Sequence, residues 1–214
     1  MLNINVELQK YIEEEILPEY SLNDKGHNLV HINNVLGRAF EIAEKYDVDE
    51  NMLYTVVCFH DIACHIDRER HEILSASRLY QDTNLKKFFN EDQIKVMRDA
   101  VEDHRSSIDY IPRNIYGKIL SSADRKVDVD DYMRSSMGFQ KKKQPDATDD
   151  ELIEQSYIFA IKKFGKNGYA VKKFYVEDIK YDMFLKNLQT LIDDKEEFIK
   201  RARVVLQNLK NELE

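Results

Sequence analysis

Chain breakers are scarce in this sequence. Only six Gly and three Pro occur in 214 residues, and so few in so long a chain favour helices over a strand-rich fold. Cysteine is scarcer still. Cys58 and Cys64 are the only two; at i, i+6 on one helix they would face different directions, so no disulfide framework is expected, and free thiols in a reducing cytosol are. No stretch approaches the roughly 18 apolar residues of a membrane-spanning helix. The first residues carry neither the basic nor the apolar region of a signal peptide, and the expected location is cytoplasmic. Positive charge is in deficit: the net charge is -8, which argues against a general nucleic-acid binder or a protein held on anionic lipid. A phosphorylated small substrate is not excluded, because a buried cation can dominate the field locally.

What is present is helical periodicity. The 43% hydrophobic and 34% charged composition is that of an ordinary globular protein, and the length suits one domain, 1–214, with a sizeable core. Apolar stripes predict helices over about 3–17 (stopped by Pro18), 28–46, 50–63 with a start resembling a capping box, from His71 onward, and 91–105. Another runs from Pro112 through Asp124 toward Met133. Ser135 to Asp150, with Lys141–Lys143, reads as an exposed loop, or as a cationic lid over a polyphosphate. Thr148-Asp-Asp-Glu151 is a capping box opening a helix over about 149–163. Residues 165–176 read as irregular, with a small hairpin as the alternative. A last helix covers about 180–212, with a break near Asp193-Asp194. Its apolar face is core or a self-association face, the latter implying a homodimer. The expected fold is an all-α multi-helix bundle.

All six histidines (27, 31, 60, 65, 71 and 104) fall in the first half. His60-Asp61 closes the apolar run Met52–Phe59, where a charge must be paired or bound to a metal. A lone His on an apolar face is usually a hydrogen-bonded core residue. Four on inner faces or helix ends, together with carboxylates, instead suit one or two of Mn, Fe, Co, Ni or Zn rather than Ca or Mg alone.

His31-Ile-Asn-Asn-Val35, Val57-Cys-Phe-His-Asp-Ile-Ala63, Ala100-Val-Glu-Asp-His104 and Lys118-Ile-Leu-Ser-Ser-Ala-Asp-Arg125 follow one another in that order. In this order they resemble the HD-domain superfamily of metal-dependent phosphohydrolases, over about residues 22–130. The resemblance implies an HD-type metal-site core there and a helical extension over about 148–214. It also implies a ligand set: His31, His60 and Asp124 on one metal, His71 and His104 on a second, and Asp61 bridging, with Asp61 and His60 catalytic. The alternative for His71 and His104 is contact with substrate phosphate, or helix capping, beside a single metal. Many dinuclear HD proteins carry a Lys where this chain has Cys64. His65, Arg68, Arg105 or Arg125 could supply the missing cation toward substrate; they could equally be a loop residue and structural or surface ion pairs. His27 is a surface residue or a phosphate contact. Asp128 would orient a ligand or pair with Arg125.

The activity this implies is hydrolysis of a small phosphorylated, nucleotide-like substrate by metal-activated water. Two alternatives share the ligand set: an HD-type diiron oxygenase acting on a small organic substrate, and a nucleotide-binding module with little turnover.

Overall fold

The structure, a computed structural model, describes residues 3–24, 26–171 and 174–211. Among these there are ten α-helices and no strand, an all-α fold. The chain divides into two compact units, Met1–Asp124 with Tyr175–Glu177, and Arg125–Phe174 with Asp178–Glu214. Each has its own apolar core. No helix among the described residues is long and apolar enough to cross a membrane.

The first unit opens with α1 (Val6–Tyr11), capped by the Asn5 side chain, which accepts from the amides of Glu7 and Leu8. Pro18 does not stop the helical path. The chain widens over Ile12–Ile16 and tightens into a 3-10 turn over Leu17–Leu22, where Pro18 occupies the opening positions and its missing N–H leaves no bond unmade. Helix α2 (Leu29–Ala43) is capped by Asn28 and buries Ile32, Val35, Ala39 and Ile42. Helix α3 (Glu50–Phe59) is capped by Asp49 and buried continuously from Met52 to Phe59. It is the centre of the unit, since each fully buried large side chain contributes roughly 1.5–3 kcal/mol. It stops four residues short of the expected end, so His60 and Asp61 lie in the tight turns after it.

Helices α4 (His71–Gln81) and α5 (Glu91–Glu102) pack against α3 and each other. Helix α5 begins in a capping box between Asn90 and Gln93. It ends before His104, because the buried Asp103 carboxylate turns to the backbone N–H and guanidinium of Arg113 and so holds the chain in a loop. Helix α6 (Ile115–Ala123) is capped by Asn114, not started by Pro112, and ends one residue before Asp124 instead of running on to Met133. A Cβ on Gly117 would come within 3.2 Å of Ala100 Cα, so this glycine sets how closely α6 lies on α5.

The second unit contains α7 (Val129–Lys143), α8 (Asp149–Phe164), α9 (Ile179–Asp193) and α10 (Lys195–Asn211) around Tyr132, Phe164, Tyr181, Phe184, Leu188 and Phe198. Lys141–Lys143 form the last turn of α7, not a loop, and place positive charge at the helix C-terminus where the backbone dipole favours it. The Thr148–Glu151 capping box and the break at Asp194 occur as the sequence predicts. The described part of 165–176 contains no hairpin.

Candidate metal centre

Five segments of the first unit bring their side chains to one point. His31 projects from the first turn of α2 and His71 is the first residue of α4. His60-Asp61 follows α3, His104 follows α5, and Asp124 follows α6. Asp61 is the common member. Its Oδ2 lies 3.3 Å from His31 Nε2 and 3.3 Å from His60 Nε2; its Oδ1 lies 3.2 Å from His71 Nε2 and 3.6 Å from His104 Nε2. Asp124 Oδ1 is 3.2 Å from His31 Nε2 and 3.9 Å from His60 Nε2. Two ligand sets follow, His31, His60, Asp61 and Asp124 on one side and Asp61, His71 and His104 on the other, each with its donor atoms within 4.8 Å of one another.

The orientation of the rings fits a cation. Three of them donate their Nδ1–H to a backbone carbonyl: His60 to Val57 at 2.7 Å, His104 to Val101 at 2.6 Å and His71 to Arg68 at 2.9 Å. Each bond fixes the tautomer and leaves a lone pair on Nε2, aimed inward. His31 and His60 then bring their Nε2 atoms to 3.3 Å, and His71 and His104 to 3.2 Å. Lone pairs at such separations repel unless a proton or a metal ion lies between them.

The carboxylates supply the balancing charge. Burial works to raise the Asp61 pKa, but the imidazoles around it, His60 first and then His104 and His31, hold it well below the usual carboxylate range. Burial likewise opposes ionisation of Asp124, but the His31 hydrogen bond and charge bring it down to about 2. For His31, burial is outweighed by hydrogen bonds to Asp124 and Asp61, and its pKa rises to about 10. His71 rises for the same reason, against Asp61. The centre is graded in depth: the His60, His104 and Asp61 side chains are at most 3% exposed, while His71, His31 and Asp124 reach 12, 15 and 30% and form its solvent side.

Four further candidates are not members of these donor sets. His65 is exposed, with its backbone N–H and Nδ1 at the Asn23 side-chain oxygen. Arg68 lies 2.8 Å from His27 Nδ1 and 3.7 Å from an Asp24 carboxylate oxygen. Arg105 pairs with Glu72 at 3.2 Å and donates to the Glu69 carbonyl. Arg125 belongs to the second unit, its guanidinium 4.7 Å from the centre of the Tyr181 ring. Asp128 caps α7 through the Asp131 amide, which explains its identity without a ligand.

The structure adds residues with no sequence signal, because a side chain that binds backbone leaves no periodic trace. Asn23 Nδ2 donates to the Asp61 carbonyl at 2.9 Å and to the His27 carbonyl at 3.1 Å. Tyr20 Oη donates to the Cys58 carbonyl at 2.9 Å and accepts from the Asp61 amide at 3.3 Å. Arg38 donates to the carbonyls of Ala123 and Ser122, both at 3.3 Å, and steadies the end of α6 before Asp124. No family model, curated protein or solved structure matches the chain.

Proposed function

We propose that the chain is a metal-dependent phosphohydrolase of the HD type, acting on a nucleotide-like or other small phosphorylated substrate. One observation carries the reading: Asp61 presents one carboxylate oxygen to each of two histidine pairs whose lone pairs converge. His31, His60, Asp61 and Asp124 would hold one cation, and Asp61, His71 and His104 a second. Imidazole and carboxylate donors suit Mn, Fe, Co, Ni or Zn. A pair of such cations supplies Lewis acidity, which acidifies water and neutralises charge on a phosphoryl group.

The chain's own residues define the rest. The carbonyls of Val57, Val101 and Arg68 fix three ring planes and turn each Nε2 inward, where it would ligate. Substrate would enter on the side of His31, His71 and Asp124, where the side chains meet solvent. Arg68 is 53% exposed, with its guanidinium 2.8 Å from His27 Nδ1 and 3.7 Å from the 40% exposed Asp24 carboxylate. Such a pair contributes at most about 1 kcal/mol, so a phosphate can replace the carboxylate as its partner.

The test is elemental analysis of the purified protein together with a phosphomonoester, phosphodiester and nucleotide panel in Mn, Co, Ni and Fe, with and without oxygen. Metal-dependent phosphate release under anoxic conditions supports hydrolysis. Iron-dependent oxygen uptake without phosphate release would replace it with the oxygenase chemistry. Tight nucleotide binding with no turnover in any metal would leave a binding module.

A further inference from the structure

Helix α4 carries His71 as its first residue, and it starts unlike its neighbours. Among the described residues, the other α-helices of the first unit each open at a side chain that caps the first turn: Asn5, Asn28, Asp49, Asn90 and Asn114. Helix α4 opens at Arg70, whose side chain makes no cap bond. A first turn left so would hold the His71 imidazole only loosely.

The turn is fixed from elsewhere in the chain. Arg105 Nη1 lies 3.2 Å from both Glu72 carboxylate oxygens and donates to the Glu69 carbonyl, so one guanidinium grips the residues on either side of Arg70 and His71. Glu72 directly follows His71, and Arg105 directly follows His104. The half-buried ion pair thus joins the same two segments, 33 positions apart in sequence, that bring the Nε2 atoms of His71 and His104 to 3.2 Å. On its other flank His104 follows Asp103, which is tied to Arg113, so it stands between two anchored neighbours. The pair also restrains the Glu72 carboxylate. Its Oε2 lies 3.6 Å from His71 Nδ1, whose N–H the Arg68 carbonyl accepts at 2.9 Å. With Arg105 absent, the carboxylate competes for that N–H and turns the ring from its inward aim.

We propose that the Arg105–Glu72 pair is the positioning latch of the second cation: it sets the His71–His104 spacing, and with it the affinity of Asp61, His71 and His104 for metal. This set offers three protein donors against four in the other, so its ion keeps open coordination positions and depends more on each ring. Arg105 accordingly serves the centre through Glu72 and not as a phosphate ligand.

The proposal rests on the two-cation reading above, and the experiment separates the two. The full chain is titrated with Mn(II), with binding followed by calorimetry and pairing of the ions by electron paramagnetic resonance. The wild-type chain is expected to take two ions and to show the spin-coupled signal of a manganese pair. Arg105→Ala and Glu72→Gln should each weaken the second ion about 10–100-fold, the usual scale for groups that orient ligands, with the first ion little changed. Arg105→Lys, which keeps a cationic donor, recovers part of the loss. Glu72→Gln is the sharper variant. If Glu72 merely restrained an Arg105 meant for phosphate, neutralising it would leave both ions bound and tighten the binding of inorganic phosphate; that result overturns the latch. Unchanged affinity for both ions in the variants, or equal weakening of both, overturns the latch and leaves the centre standing. A wild-type chain that takes one ion or none removes the two-cation reading and the latch with it.

Discussion

His71 and His104 face each other through their Nε2 atoms at 3.2 Å while each gives its other nitrogen's proton to a backbone carbonyl. Without a metal, a proton must take the position between them, and the raised pKa of His71 agrees with this. On the other side of Asp61, His31 titrates at about 10 and is protonated at neutral pH. Metal uptake must therefore expel protons, and affinity should climb as pH rises from 6 toward 8, by up to about tenfold per unit for each proton displaced. Calorimetry in buffers of different ionisation enthalpy reads the number released. Uptake with no proton release would mean that His31 and His71 are not ligands.

The same charges set how the metal-free protein responds to pH. His31 is raised from 6.5 to about 10, so its stabilisation is complete below 6.5 and is lost as pH rises through 10. Asp124 is lowered from 3.8 to about 2, so its stabilisation is present above 3.8 and is lost as pH falls toward 2. The Tm in chelator should therefore peak between about 4 and 6.5 and decline on either side, as thermal melts across pH would show. Added metal should lift the alkaline limb most, where ligands are already deprotonated.

Asp61→Ala removes the member common to both ligand sets. Bound metal should fall to near zero and hydrolysis should be lost, while far-ultraviolet circular dichroism stays that of a helical protein. His104→Gln leaves the set of His31, His60, Asp61 and Asp124 complete, so its metal content should fall only by half. Equal metal loss in the two variants would contradict two sets joined at Asp61.

Asn23 offers a test of positioning. It touches no donor atom of the two histidine sets, but its Nδ2 holds the carbonyls of Asp61 and His27 and its Oδ1 accepts from the His65 amide. Asn23→Ala should weaken metal binding about 10–100-fold, the usual effect of removing a group that orients ligands. Thermal stability in chelator should change far less than metal affinity; parallel losses would mark Asn23 as merely structural.

How much of this was legible follows the physics of each signal. The amphipathic helices and the Thr148–Glu151 cap were readable, because periodicity and capping are local. The buried His60-Asp61 pair was readable from its cost, and the rest of the set that meets at Asp61 from the order of four short motifs that resemble HD domains. Helix ends were not. Asp103 halts α5 through side-chain bonds to Tyr110 and Arg113, 7 and 10 positions away, and Asn114, besides capping α6, donates to the Val96 carbonyl 18 positions back; no short window of sequence reports such bonds. Pro18 misled because proline is tolerated in the first turn of a new 3-10 segment. The three lysines at 141–143 look like a loop by composition, but they are what a helix C-terminus favours.

Asp103 is fully buried, and the residue after it is His104. Its carboxylate accepts from Arg113 at the backbone N–H (2.7 Å), at Nε (3.0 Å) and at Nη2 (2.7 Å), and from Tyr110 Oη at 2.9 Å. Arg113→Ala strands that charge inside the protein. The expected loss is about 3 kcal/mol, the low end for breaking a buried pair, because the Arg113 side chain is itself 42% exposed. Lysine restores only part, since it cannot match the forked geometry. Arg203→Ala is the contrast: its pair with Asp150 is exposed at both ends, 62% and 78%, and its loss should cost under about 1 kcal/mol. Denaturant melts of the three variants give the stability ranking. The Arg113 variant should also lose metal from the set containing His104 before the set containing His31, because the loop it releases carries only the former. Simultaneous loss from both sets would show that the clamp supports the whole fold and not His104 in particular.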